Sequence, residues 1–173
     1  MPQLGWRIDL TRCTGCRSCQ VACRSENNTG SVSFRWVFFE ETGTYPSPAL
    51  EFVSMACNHC ASPACRAACP VGAITKDPAN GLVNIDPALC IGCKRCAWAC
   101  PYGAPQYNSD AGQVQKCSGC KQRIAAGLNP ACVDTCVGRA LEFADLSTLG
   151  SSTIRPARFA DPKYTNPSIK FIR

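Results

Sequence analysis

The chain alternates short apolar stretches with loops that contain glycine or proline, a pattern that predicts small strands and helices. Ser31–Glu41 is apolar, aromatic and partly alternating, so it predicts a strand. Thr42–Ala49, which contains Gly43, Pro46 and Pro48, predicts a loop. Further strands are predicted at Trp6–Leu10 and Leu50–Met55, and a hairpin at Ala73–Thr75 and Leu82–Ile85.

The predicted helices are short, at Cys19–Arg24, Ala61–Ala68 and Ser118–Gly127. Gly103–Asn108 predicts a loop. Ser151–Arg173 has three prolines and little periodicity, so it predicts an extended tail that packs on the domain or on a partner. The apolar stretches, such as Ala49–Met55, are too short to span a bilayer.

Composition sharpens this picture, because cysteine supplies 16 of the 173 residues. Without cysteine, the hydrophobic fraction falls from 46% to about 37%. A chain of this length normally buries roughly 70% of its unfolded surface, so aliphatic packing is thin. A four-helix bundle or a doubly wound sheet is therefore not expected, and a metal-bound or disulfide-bonded scaffold is.

The first residues of the chain favour metal binding over disulfide bonds as the role of the cysteines. Met1–Asp9 lacks the charged region, apolar run and cleavage site of a secretory signal. Without such a signal, a cysteine pattern indicates metal binding or catalysis more than a disulfide framework.

The net charge of +6 does not predict nucleic-acid binding, because the basic residues are scattered.

The cysteines fall into four groups of four, with none left over. They are Cys13, Cys16, Cys19 and Cys23; Cys57, Cys60, Cys65 and Cys69; Cys90, Cys93, Cys96 and Cys100; and Cys117, Cys120, Cys132 and Cys136. The first and third groups share the spacing C-x2-C-x2-C-x3-C. Ile8–Cys23 and Ile85–Cys100 also share I-D-x3-C-x-G-C-x2-C-x2-A-C without a gap, which indicates an internal duplication.

This spacing is typical of bacterial ferredoxins, in which three cysteines bind one cluster and the fourth ligates another. Gly15 and Gly92 suit the tight ligand loop, because glycine accepts positive φ and lets the backbone approach the cluster. Pro70 and Pro101 follow the last cysteine of two groups, as in ferredoxins. Four-thiolate zinc sites are the competing interpretation, but zinc does not require three cysteines within seven residues.

The segments CNHCASPACRAACPVGAITK and IDPALCIGCKRCAWACPYGAPQY carry a closer resemblance. With the flanking groups, they resemble the iron–sulfur subunit of dimethyl sulfoxide reductase and related molybdopterin oxidoreductases. The resemblance runs from about Trp6 to Leu141 and extends to the tail at Pro156–Ile172.

The resemblance implies an α+β fold of two interleaved bacterial dicluster ferredoxin-like lobes, loop-rich, with an extended C-terminal tail. The implied divisions are 1–30 with 109–145 for lobe 1, 50–108 for lobe 2, 31–49 for a hairpin or linker insertion, and 146–173 for the tail.

The resemblance also implies a pairing of ligands that spacing alone leaves open, for four [4Fe–4S] clusters. Cluster 1 would use Cys13, Cys16, Cys19 and Cys136; cluster 2, Cys117, Cys120, Cys132 and Cys23; cluster 3, Cys57, Cys60, Cys65 and Cys100; cluster 4, Cys90, Cys93, Cys96 and Cys69.

The implied function is a non-catalytic electron-transfer subunit of anaerobic respiration. It would relay single electrons between a molybdenum or tungsten bis-pterin catalytic subunit and a quinone-reactive membrane anchor. Lobe 1 would face the catalytic subunit and lobe 2 the anchor. The complex is expected at the cytoplasmic membrane, on the periplasmic side if the chain is exported with its catalytic partner. A free polyferredoxin and a zinc module remain the alternatives.

Residues outside the cysteine groups carry weaker expectations. The single histidine, His59, is expected to shape its turn rather than to ligate metal. Lys94 and Arg95 are expected on solvated surface, although their charge would raise the potential of a nearby cluster. Trp98 is expected to pack in the core. The aromatic residues of Ser31–Glu41 are candidates for a partner interface. No catalytic constellation is present, and one histidine leaves little scope for acid–base chemistry.

Overall fold

The computed structural model describes residues 2–173 and has an α+β fold of short elements. The strands are β1 Leu4–Asp9, β2 Arg35–Thr44, β3 Ser47–Ala56, β4 Ile74–Lys76, β5 Val83–Ile85, β6 Gln106–Asn108, β7 Gln113–Gln115, β8 Leu141–Asp145 and β9 Ile169–Ile172. The helices are α1 Ser18–Asn27, α2 Ala64–Ala67, α3 Arg95–Ala99, α4 Lys121–Ala125 and α5 Ala131–Asp134, with a 3-10 turn at Pro162–Tyr164.

A three-stranded sheet joins the two ends of the chain, in the order β8-β1-β9. β1 pairs antiparallel with β8, where Trp6 faces Phe143, and parallel with β9, where Trp6 faces Ile169. The predicted first strand is therefore confirmed. The tail packs on the domain. The strand β9 within it was not predicted; its alternate residues Ile169 and Phe171 are buried.

The β2–β3 hairpin is longer than the sequence pattern predicts. Its antiparallel register runs from the Arg35–Ala56 pair to the Thr44–Ser47 pair. The turn or loop predicted at Thr42–Ala49 is confirmed only at Tyr45 and Pro46, because strand pairing continues up to this turn of two residues. Pro48 is tolerated because each strand of a two-stranded hairpin has an unpaired edge.

The remaining strands form two small hairpins. The β4–β5 hairpin agrees with its prediction. The β6–β7 hairpin was not predicted, and the loop assigned to Gly103–Asn108 is wrong in its last three residues, which form β6.

The core contains cysteine alongside aliphatic and aromatic residues. The main cluster combines Trp6, Ile8 and Phe143 with buried thiols such as Cys117. A smaller cluster comprises Cys65, Ile74, Val83, Cys96 and Val114. None of the helices within residues 2–173 has the length and apolar character needed to cross a membrane.

Candidate metal centres

The repeated sequence produces the same backbone twice. Gly15 and Gly92 have φ values of +70° and +69°, which confirms the prediction of positive φ at both. Arg17 and Lys94, two residues further on, both have φ of +62°. α1 and α3 begin at the next residue. The two loops therefore present their cysteines on equivalent turns.

Three pockets of similar size are each lined by four cysteines. Their atom-free spaces, partly open to solvent, are about 340, 330 and 310 Å³. The first contains Cys57, Cys60, Cys65 and Cys100; the second, Cys13, Cys16, Cys19 and Cys136; the third, Cys69, Cys90, Cys93 and Cys96. Each pocket thus draws one cysteine from a different group than the other three.

The remaining cysteines, Cys23, Cys117, Cys120 and Cys132, are all buried. Cys23 on α1 and Cys132 on α5 lie on packed helices. Asn27 Nδ2 lies 3.7 Å from Cys23 Sγ and 3.8 Å from Cys120 Sγ. Burial, together with the neighbouring Cys132 and Cys120, raises the pKa of Cys23 to about 12.

Burial raises the pKa of eight of the sixteen thiols. It raises the pKa of Cys65 to about 12 and that of Cys60 to about 11. Cys16 is exposed instead, and the Ser18 hydroxyl lowers its pKa. With their pKa values raised, these buried thiols do not ionise on their own. A bound cation deprotonates a coordinating thiol, so they are suited to bind a strongly positive group such as iron.

The four sets also adjoin one another. Burial raises the pKa of Cys117, and the nearby Cys57 of another set raises it too. In the same way, burial and the nearby Cys19 raise the pKa of Cys132. α2 packs on α3, which brings together the helices that carry Cys65 and Cys96.

Within residues 2–173, no group of three or more His, Cys, Asp or Glu side chains is arranged to hold a single metal ion. The pockets surround instead a space suited to a multi-atom group, and an all-cysteine donor set is the usual one for [4Fe–4S] clusters.

Comparison with known proteins agrees with this chemistry. A 4Fe-4S dicluster domain matches residues 48–146, and a 4Fe-4S binding domain matches residues 10–30. The sequence is 44% identical over 156 residues to the probable anaerobic dimethyl sulfoxide reductase chain YnfG of Escherichia coli (strain K12), covering 85% of this protein and 76% of the relative. The protein belongs to the family of dimethyl sulfoxide reductase iron–sulfur subunits.

Two further members of this family extend the comparison. A component of the anaerobic dimethyl sulfoxide reductase of Haemophilus influenzae is 42% identical over 159 residues, covering 86% of this protein and 77% of the relative. A component of the selenate reductase of Mesobacillus selenatarsenatis is 38% identical over 205 residues, covering 95% of this protein and 70% of the relative. The resemblance drawn from the cysteine segments is confirmed.

In this dimethyl sulfoxide reductase-type subunit, His59 shapes its turn, as expected. It has φ of +42° and is buried. Its Nδ1 accepts a hydrogen bond from the Val83 N–H at 3.0 Å, and its carbonyl accepts one from Ser168 Oγ at 3.0 Å. Burial, with the charges of Lys116 and Lys76, lowers the pKa of His59, so the ring is neutral.

The expectation for Trp98 is wrong, because its side chain is 87% exposed. It lies two residues from Cys96 on α3, and two residues turn a helix by about 200°. Since Cys96 is buried, Trp98 lies on the opposite, outer side. Lys94 and Arg95 are exposed as expected, and Lys94 Nζ lies 3.9 Å from the Tyr107 ring centroid.

The aromatic residues of β2 are only partly available to contact a partner. Trp36 and Phe38 pack against the main core, whereas Phe39 is 50% exposed.

Sequence reasoning missed several polar residues beside the cysteines. Arg35 is buried next to Ser54. Thr165 in the tail contacts the Tyr102 hydroxyl at 3.0 Å and lines the same pocket as Cys60. In the sequence, the only signal for Arg35 was its position as a lone arginine in the apolar stretch of β2. Nothing in the sequence pointed to Thr165.

Proposed function

We propose that this chain is an electron-transfer subunit with four [4Fe–4S] clusters. It relays single electrons between a molybdenum or tungsten bis-pterin catalytic subunit and a quinone-reactive membrane anchor. The observation that carries this proposal is the division of all sixteen cysteines into four sets of four, three of them lining pockets of nearly equal size. The subunit has no substrate chemistry of its own.

The proposed ligands follow these sets. They are Cys13, Cys16, Cys19 and Cys136 for cluster 1; Cys117, Cys120, Cys132 and Cys23 for cluster 2; Cys57, Cys60, Cys65 and Cys100 for cluster 3; and Cys90, Cys93, Cys96 and Cys69 for cluster 4. The proposed divisions are residues 1–30 with 109–145 for the first ferredoxin-like lobe, 50–108 for the second, 31–49 for the hairpin insertion and 146–173 for the tail.

The contacts between sets support a linear order from cluster 1 to cluster 4. Cys19 lies near Cys132, and Cys117 lies near Cys57, so cluster 2 stands between clusters 1 and 3. The α2–α3 packing joins clusters 3 and 4.

The exposed ligands support the same order. Only Cys16 and Cys93 are exposed among the sixteen cysteines. They belong to clusters 1 and 4, the two ends of the proposed series. Electrons would therefore enter and leave at the ends, while the protein shields the middle from solvent.

The surface around cluster 4 supports an apolar partner such as a membrane anchor. Val71 and Ile91 line the cluster 4 pocket, and both are exposed, as are Leu89 and Trp98 nearby in the chain. The named relatives are components of reductases with more than one subunit, which supports a separate catalytic partner at the other end. Export with that partner would place the complex on the periplasmic side of the membrane.

Each cluster supplies a one-electron site, and the chain's own residues hold, space and tune it. The cysteines fix the positions, the packed core excludes water, and nearby hydrogen bonds and charges set the potential.

The direct test is iron, acid-labile sulfide and zinc analysis of anaerobically purified protein, with EPR after dithionite reduction. We expect about sixteen iron and sixteen sulfide per chain and broad signals from interacting clusters. About four zinc with no sulfide and no EPR signal would reject the proposal in favour of a zinc module.

Co-purification separates the bound subunit from a free polyferredoxin. We expect a tagged chain, expressed with its native partners, to retain a large molybdenum- or tungsten-containing chain. A monomer with full iron content and no partner would instead indicate a free carrier.

A further inference from the structure

Arg35 is a buried cation without a carboxylate partner. Its side chain lies on β2, and the residue is 2% exposed. Nη1 donates a hydrogen bond to Ser54 Oγ at 3.0 Å. Within the part of the chain that the structure describes, Nε and Nη2 have no hydrogen-bond partner, and Arg35 forms no ion pair with Asp or Glu.

Such an arrangement is unfavourable unless another negative charge is close, because a buried charge loses its hydration. The Trp6 ring, with its centroid 4.3 Å from Arg35 Cζ, gives a cation–π contact but no countercharge. The candidate source of that charge is the set of cysteines next to Arg35, which are Cys132, Cys117, Cys19 and Cys23.

Those four cysteines belong to two different clusters of the proposed assignment. Cys19 is a ligand of cluster 1, and the other three are ligands of cluster 2. Cys19, Cys117 and Cys132 lie with Trp6 in the main core, and Arg35 lies over the Trp6 ring, so Arg35 adjoins both sets.

A hydrogen-bond relay connects Arg35 to the cluster 1 side. Ser54 Oγ lies 3.4 Å from Cys19 Sγ, and Ser54 is buried. Because Ser54 Oγ already accepts a hydrogen bond from Arg35, its own hydrogen is available to Cys19. A ligating cysteine is a thiolate and only accepts, so the direction Arg35 to Ser54 to Cys19 is the consistent one.

Another buried cation differs from Arg35 in this respect. Lys116 donates to the carbonyl oxygens of Val83 and Cys117, so backbone groups satisfy it. The unmet hydrogen-bonding capacity of Arg35 is what requires a negative group beside it.

We propose that Arg35 is the shared counter-charge of clusters 1 and 2 and raises the reduction potential of both. The inference rests on the proposed ligand assignment. One-electron reduction adds a negative charge to a cluster, so an adjacent cation stabilises the reduced form. In a buried setting this attraction is little screened by water or salt.

The test compares Arg35→Met, which removes the charge at similar length, with Arg35→Lys, which keeps it. The matched control is Arg7→Met on β1, where the arginine is part-exposed and paired with Glu142. Each variant is purified anaerobically as the full chain with its partners. Iron and sulfide are counted, and potentiometric titration is followed by EPR.

In fully loaded Arg35→Met we expect two of four reduction steps to shift to lower potential and two to stay in place. Arg35→Lys should shift the same two steps less, and Arg7→Met should shift none. Four unchanged steps in loaded Arg35→Met, or an equal shift of all four, would overturn the proposal.

Loss of clusters is also decisive. If Arg35→Met loses iron but Arg35→Lys loads fully and keeps near-native potentials, the charge is required and the proposal stands. If both variants lose iron alike, the guanidinium acts through packing and the proposal fails. Failure of the underlying function is separate, because wild-type protein would then lack about sixteen iron.

Discussion

The cysteines assigned to clusters 2 and 4 have opposite surroundings. All four of cluster 2 are buried, and two, Cys117 and Cys132, lie in the main core. Of the cluster 4 set, only Cys96 is buried, and Cys93 is exposed. The first site borders the buried Arg35, whereas the cations beside the second, Lys94 and Arg95, are on the surface.

The difference teaches that the ligand motif does not fix a cluster's environment. Both sets supply four thiolates, yet one adjoins the large core and the other a satellite core of five buried residues. Potential depends on charge, hydrogen bonding and exposure, so we expect the two clusters to differ although their ligands are the same.

The largest expected effect comes from removing one ligand at each site. Cys117→Ala leaves Arg35 with less countercharge in the core, so we expect a loss of about 3–5 kcal/mol in the free energy of unfolding. Cys93→Ala should affect cluster 4 alone and leave the main core folded. Iron content and the denaturation midpoint under anaerobic conditions measure both. Equal destabilisation by the two variants would contradict the contrast.

A smaller effect is expected from the same substitution at a buried and an exposed tryptophan. Trp6 Nε1 donates to the Cys57 carbonyl at 3.1 Å, so Trp6→Phe should cost about 1–2 kcal/mol. Trp98 is exposed, so Trp98→Phe should change stability by less than about 0.5 kcal/mol. Urea unfolding of both variants measures the difference, and a comparable cost at Trp98 would show that it packs in the protein.

The smallest effect tests one difference between the repeated loops, the hydroxyl of Thr11, which the equivalent Ala88 lacks. Asp9 Oδ1 accepts bonds from the Thr11 N–H and hydroxyl, at 3.0 and 2.6 Å. Its equivalent Asp86 accepts only from the Ala88 N–H, at 2.9 Å. The Thr11 hydroxyl is the main cause of the lowered pKa of Asp9. Because that pKa is lowered on folding, its stabilisation is present above the unfolded value of 3.8 and disappears as pH falls through the folded one.

We therefore expect Thr11→Ala to lower stability by less than about 0.5 kcal/mol, by a constant amount between about pH 5 and 8. Ala88→Thr should give Asp86 the missing bond and a gain of similar size. Thermal unfolding across this pH range measures both. A difference that varies between pH 5 and 8 would assign the effect to another group.

Sequence alone predicted the parts of the fold that local pattern determines. The duplicated loops follow from C-x-G-C, and the strand before the first loop and the β4–β5 hairpin follow from apolar runs beside turn residues. The family resemblance, and no local rule, supplied the pairing of the cysteine groups.

The rest depends on contacts between distant residues. Arg35 meets its cysteines only because the β2–β3 hairpin packs on the ligand loops, where the Gly15 position lies against the Phe52 ring. Trp98 was wrongly predicted to be buried, because hydrophobicity predicts burial only when it is known which side of the helix faces the core. β9 was missed because a four-residue strand in a proline-containing tail has little periodic signal.

The central position of β1 sets an order on chain assembly. β1 pairs with β8 and β9, both of which come much later in the sequence. One edge of β1 stays unpaired until Ile169–Ile172 has been synthesised, because that edge pairs with β9. Pairings between such distant segments close late, because they carry the largest loop-closure entropy. All sixteen cysteines precede β9 in the sequence, so they are synthesised before the second edge of β1 can be paired.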